Sequence, residues 1–185
     1  MVERKYLAHF ISTDFDVSLT PGVGATGDGQ TYVRIGSYLE AYQEELNPQV
    51  DVRQNILGEQ YAVHNGYQVS STAEPFYIDT KVGGRDKALS DKLQEIANGR
   101  LTGDECKTFR VDALFSVKTE TSGSTTVTTI TSDWAYREEC IVVPTSLGGD
   151  TSGVQIPFQV FNVGNRKPGS MTWTMDTGGT FTLDS

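Results

Sequence analysis

Apolar and polar residues alternate with a period near two along most of this chain, and one segment breaks the pattern. From Tyr32 to Leu46, Val33, Ile35, Leu39 and Ala41 face one way, while Arg34, Glu40 and Glu44 face the other beside Tyr38 and Tyr42. Tyr61 to Ser71 sets Tyr61, Val63, Tyr67 and Val69 against the small, polar Ala62, His64, Gly66, Gln68 and Ser70. Phe109, Val111, Ala113, Phe115 and Val117 form another apolar face, with Arg110, Asp112 and Lys118 opposite. A Thr-rich segment (Thr125–Thr131) and a strand from Tyr136 stopped by Pro144 follow. Val154, Ile156, Phe158 and Val160 then alternate with Gln155, Pro157 and Gln159. Gly164-Asn165 and Gly178-Gly179 read as hairpin turns around a face of Met171, Trp173 and Met175. The exception is a helix over residues 86–98. Leu89, Leu93 and Ile96 share its apolar face, Asp86 is placed to cap its start, and Asn98-Gly99 supplies a left-handed stop. One helix among many strands predicts a mainly β fold, an antiparallel β-sandwich with a single flanking helix.

At 185 residues the chain is read as one domain, 1–185, with an N-terminal arm over 1–13 and a flexible Gly-rich loop over 14–30. Asp14, Asp16 and Asp28 near that loop lack an EF-hand register and read as solvated. The net charge of −9 argues against a protein that grips nucleic acid by its backbone. No apolar run approaches a membrane span, and the opening MVERKYLAHF offers no signal-peptide core. Cys106 and Cys140 have no metal-type spacing, and free thiols are the expectation for them.

Motifs for chemistry are missing from the sequence. His9 and His64 belong to no HExxH pair, and no G-x-S-x-G elbow or phosphate-cradling glycine run is present. A cysteine–histidine dyad of Cys106 or Cys140 with His64 remains open on sequence grounds. Glu138 and Glu139 point to opposite faces of a strand and so do not form a glycosidase pair. No catalytic, metal or cofactor residue is assigned, and the chain is not expected to be an enzyme.

A set of longer motifs points elsewhere. LNP is followed by ILGE (Leu46–Pro48, Ile56–Glu59), EPFY precedes the helix, DKLQEIAN lies inside it, and TGDECKT leads into the next strand. AYREECIVVPTSLGGDTSGVQIPF spans Ala135–Phe158, and GNRKPGSMTW forms the closing hairpin. Over about Tyr32 to Thr182 the chain resembles the major tail tube proteins of tailed bacteriophages and related prophages, most specifically in the Ala135–Phe158 block. That resemblance implies a β-sandwich with a flanking helix whose inner sheets close into a ring barrel when six copies assemble. Rings then stack into a hollow tube that conducts DNA, and the tape-measure protein, during ejection. Tail terminator and baseplate or distal tail proteins would be its further partners, the virion tail its location, and the host bacterial cytoplasm its place of assembly.

Within that frame, Glu40, Glu44, Gln68, Ser70, Gln155 and Gln159 are expected to face the lumen, each on the polar side of an alternating strand. The acid excess over residues 37–59 (five acids against Arg53) suits a wall past which phosphates must slide. Tyr6, Leu7 and Phe10 of the arm, and Ile56 and Leu57, are expected to make contacts between rings. A second reading is a β-sandwich module binding carbohydrate or another ligand, with Tyr38, Tyr42, Tyr61, Tyr67, Trp134 and Trp173 as a platform. Core or subunit interface is the plainer account of those aromatics.

Overall fold

A computed structural model of the chain describes residues 2–15, 28–35, 39–76, 85–122, 125–150, 153–164, 166–174 and 178–184. The fold is mainly β. Its strands are β1 (Val2–Ser12), β2 (Tyr32–Ile35), β3 (Leu39–Glu45), β4 (Pro48–Gln54), β5 (Gln60–Tyr67) and β6 (Ser70–Phe76), then β7 (Lys107–Ser122) and β8 (Thr125–Pro144). They continue as β9 (Gly148–Asp150), β10 (Gly153–Gln155), β11 (Phe158–Asn162), β12 (Lys167–Thr174) and β13 (Gly178–Leu183). Helix α1 spans Arg85–Gly99, and a short 3-10 helix, Gly103–Cys106, leads into β7.

Nine strands form one antiparallel sheet in the order β12-β13-β2-β1-β7-β8-β11-β6-β3. β12 also pairs with β8, so the pairings run in a circuit through β12, β13, β2, β1, β7 and β8. β4–β5 and β9–β10 are separate two-stranded ribbons. Long β8 serves two neighbours on one edge, β12 opposite Ala135–Arg137 and β11 opposite Cys140–Pro144.

The apolar positions divide into two cores. Within the circuit, Phe10, Val111 and Phe115 are buried with Met171 and Phe181. Phe10 meets Phe115 and Trp173 edge-on, at ring separations of 6.1 and 6.3 Å. Gly169 is required there, because a Cβ at that position would lie 2.3 Å from the Thr182 carbonyl oxygen. The buried charge of Arg137 is matched by Asp28, whose Oδ2 accepts from Arg137 Nη1 at 2.8 Å and from the Tyr32 hydroxyl at 2.6 Å. Burial, and then the neighbouring Asp28 carboxylate, raises the Tyr32 pKa. Asp28 is thus a structural counter-ion rather than a solvated loop residue. Asp16 and most of the Gly-rich loop lie outside the described residues.

The second core forms where α1 covers the sheet. Leu89 and Leu93 pack with Ile11, Val142, Phe158 and Val160, and Ile96 is buried on the same helical face. Leu93 is fully enclosed whereas Lys92 reaches out to Glu95 Oε2 at 2.9 Å. Leu93→Ala should therefore cost about 2–5 kcal/mol, against less than about 0.5 kcal/mol for Lys92→Ala. Equal melting temperatures for the two variants would disprove this assignment of the helix face.

Three sequence expectations are corrected. The segment expected as an arm holds β1, Val2–Ser12, which lies in the middle of the sheet between β2 and β7, with Phe10 in the core. The left-handed helix stop is Arg100, with φ of 50°, rather than Gly99. The Leu101 N–H bonds back to the Ile96 carbonyl, which makes Arg100 the reversing residue of a Schellman turn. Third, two runs read as continuous strands are each divided between separate ladders. Tyr61–Ser71 splits into β5 and β6, and Val154–Val160 into β10 and β11. Period-two alternation survives such a break, so it does not reveal a change of partner.

Candidate functional site

Two features of the sheet's surroundings ask for a function: a projecting hairpin and a buried ionic cluster. The hairpin is the β4–β5 ribbon. Asn47, with φ of 42°, turns the chain into it, and at its far end Asn55 builds the turn. The Asn55 side-chain oxygen accepts from the Leu57 and Glu59 N–H groups, and its amide donates to Glu59 Oε2 at 2.7 Å. Gly58 completes the reversal with φ of 84°, where a side chain would be strained. The consequence is that Ile56 and Leu57 are held outward, 102% and 80% exposed. Val50, Val52, Tyr61, Val63 and Tyr67 are exposed along the two strands. A two-stranded ribbon carrying this much apolar surface on open faces is marginal by itself.

The ionic cluster lies on the face of β7 turned away from the aromatic core. Arg110, 2% exposed at its side chain, donates from Nη1 to Ser71 Oγ at 2.9 Å and from Nη2 to Glu44 Oε2 at 2.5 Å. It also binds Asp112, whose other oxygen meets His9 Nδ1 at 2.7 Å. Burial pushes the Asp112 carboxyl up, but the hydrogen bond from His9 and the charge of Arg110 outweigh it and hold the pKa below the usual value. Glu138, which accepts from Asn162 Nδ2 at 2.9 Å, goes the other way, raised chiefly by burial. His9, Glu44 and Asp112 bring potential ligand atoms within 4.8 Å of one another. Arg110 already bridges both carboxylates, so a guanidinium stands where a cation would be required. The cluster reads as an internal counter-ion set.

Its pH dependence follows from the sign of the Asp112 shift. A carboxyl whose pKa is lowered by folding stabilises the native state above the unfolded value of about 3.9 and loses that contribution as pH falls through the lower folded value. Asp112→Asn should thus be less stable than the parent at pH 7, with the two stabilities converging below about pH 4. Denaturation curves at a series of pH values test this, and a gap that stays constant into acid would count against it.

The residues expected to line a lumen do not share one face. Glu44 lies opposite Ser71, which lies opposite Val160, and its carboxylate is committed to Arg110. Ser70 and Gln159 are on the other face of the same strands, with Glu45 and Thr72. Gln68 sits between β5 and β6, and Gln155 belongs to the β9–β10 ribbon. Glu40 is in β3, but its side chain and that of Gln155 lie outside the described residues. Of the residues expected between rings, Tyr6 and Leu7 are exposed, Phe10 is buried, and Ile56 and Leu57 form the hairpin tip.

The aromatics fall in separate places. Tyr61 and Tyr67 are on the hairpin, Trp134 is on the outer face of β8 beside Tyr136, and Trp173 packs against Phe10 and Phe115 under Arg34. Tyr38 and the side chain of Tyr42 lie outside the described residues. Cys106 and Cys140 are buried free thiols; burial raises both pKa values, that of Cys140 to about 12, so neither supplies a thiolate near neutrality. Sequence reasoning missed Arg110 as a buried group, because charge alternating with apolar residues on β7 has the same pattern as a solvent face. Among the described residues, no helix is long and apolar enough to cross a membrane. Compared with protein-family models the chain matches none, and no curated protein is significantly similar to it.

Proposed function

We propose that this chain is a structural subunit that assembles with copies of itself into a hollow tube, in the manner of the phage tail tube proteins it resembles. The observation that carries this reading is the β4–β5 hairpin, whose apolar side chains at the tip and along both strands are left in solvent. Burying them against neighbours would contribute about 25 cal/mol per Å² of apolar surface and would stabilise a ribbon that is weak alone. In this reading the sheet folds into two layers with α1 on one flank, six copies close a ring through their inner sheets, and rings stack.

The bore then takes the open face of β3, β6 and β11, which carries Glu45, Ser70, Thr72 and Gln159. A face with acid and hydroxyl groups gives DNA phosphates little to hold. The tape-measure protein, the tail terminator and the baseplate or distal tail proteins would be the other partners, in a tail assembled in the bacterial cytoplasm. Negative-stain microscopy of concentrated purified protein is the test. Rings or tubes with a central channel are expected. Monodisperse single chains at every concentration and salt tried would overturn the proposal.

A further inference from the structure

Where α1 ends there is an apolar groove of about 420 Å³, lined by Ile96, Leu101, Cys106, Ile141, Val143 and Pro144, with the exposed Arg100 at its lip. We propose that this groove receives the hairpin tip of a second copy, Ile56 and Leu57 entering it while the Glu59 carboxylate pairs with Arg100. The inference rests on the self-assembly reading above and names the surface that receives the hairpin.

Three observations support this occupant. Ile56 and Leu57 are exposed in their own chain, so the tip is not docked on its own groove. Tip and groove match in character: two adjacent branched apolar side chains followed two residues later by an acid, and an apolar trough with a base at its edge. Neighbouring Lys107 is engaged by Asp104 at 2.7 Å, whereas Arg100 enters no ion pair among the described residues. Arg100 also holds a φ of 50°, a conformation that glycine would adopt without strain. A charged side chain kept at such a position fits a role at its tip more readily than a role in the turn. Tip and groove are different patches, so each copy can give its tip to one neighbour and receive the tip of another, a heterologous contact. Repeated from copy to copy, such pairing propagates into rings or stacks, whereas reciprocal exchange within one pair would stop at a dimer.

Disulfide cross-linking of assembled protein tests the pairing. Leu57→Cys and Val143→Cys are introduced together with Cys106→Ser, which keeps a group able to donate to the Leu101 carbonyl as Cys106 does. Mild oxidation of tubes should give a ladder of covalent multimers extending well beyond dimer, and neither single cysteine should do so. Tubes that form but give no ladder would overturn the groove assignment and leave the tube reading standing. If the parent protein forms no tubes, both fall. If only the cysteine variant fails to assemble, charge reversal decides: Arg100→Glu should abolish tubes, and adding Glu59→Arg should restore them. Failure of the second change to restore assembly, or normal tubes from Arg100→Glu alone, would overturn the proposal.

Discussion

A chain lacking residues 2–11 is expected to lose its cooperative fold altogether. The segment is β1, and it runs from Val2 opposite Thr119 to Ile11 opposite Arg110 on one side while its end pairs with β2 on the other. Ala8 and Phe10 enter the aromatic core, and Ile11 enters the core beneath the helix, so both apolar clusters lose a wall at once. Two new strand edges would open in the middle of the sheet, each with a row of unpaired N–H and C=O groups. Losing Phe10 alone belongs to a class of substitution that costs about 3–5 kcal/mol, comparable with the whole stability of many domains. Circular dichroism and a thermal melt of the truncated chain provide the measurement. A sigmoidal melt near the parent temperature would show that β1 is dispensable, as an arm would be.

That contrast also shows which parts of the structure were legible in the sequence. Tyr6 to Ile11 is a short apolar patch after three charges, and nothing in one strand's pattern says whether it sits at an edge or at the centre. The deciding information is in its distant partners in β7, from Phe115 opposite Tyr6 to Arg110 opposite Ile11. Local signals did better. Leu89, Leu93 and Ile96 at helical spacing are buried, because a face fixed by a 3.6-residue period needs no distant partner to be defined. Val111, Ala113 and Phe115 are interior for the analogous reason in a strand.

The candidate site divides in the same way. Ile56 and Leu57 stand out in the sequence as apolar residues next to turn formers, and the structure puts them in solvent. The proposed receiving groove was not legible. It is made where the end of α1 meets β8, and Arg100 reads in sequence as an ordinary residue just beyond the helix. Polarity at Glu44 does not mean exposure, because a buried arginine from β7 accounts for its carboxylate. An acid on an alternating strand indicates water or a counter-ion equally well, and only the three-dimensional course of the sheet, which brings β6 and β3 back to β7 although they lie three and four places away in the strand order, puts Arg110 within reach.

Removing that arginine should be among the most costly single substitutions in the chain. Arg110→Met keeps an unbranched apolar stem but leaves Glu44 and Asp112 buried or half-buried with their shared cation gone. Breaking one partner out of a buried ionic set costs about 3–5 kcal/mol, much of it the penalty of the charges left behind. The same argument predicts how the loss is repaired. With Glu44→Gln and Asp112→Asn added, the two carboxylates that Arg110 bridges are neutral, and most of the lost stability should return, since buried ion sets often contribute little net stability over neutral replacements. Glu44→Lys, in contrast, sets a second cation against Arg110 and should destabilise the fold before any question of DNA passage arises. Urea denaturation of the Arg110→Met variant, the triple variant and the parent separates the terms as in a mutant cycle. A loss below about 1 kcal/mol for Arg110→Met would mean that Arg110 is not the counter-ion of this cluster. A triple variant no more stable than Arg110→Met would place the cost in lost packing and hydrogen bonding, to Ser71 among others, rather than in stranded charge.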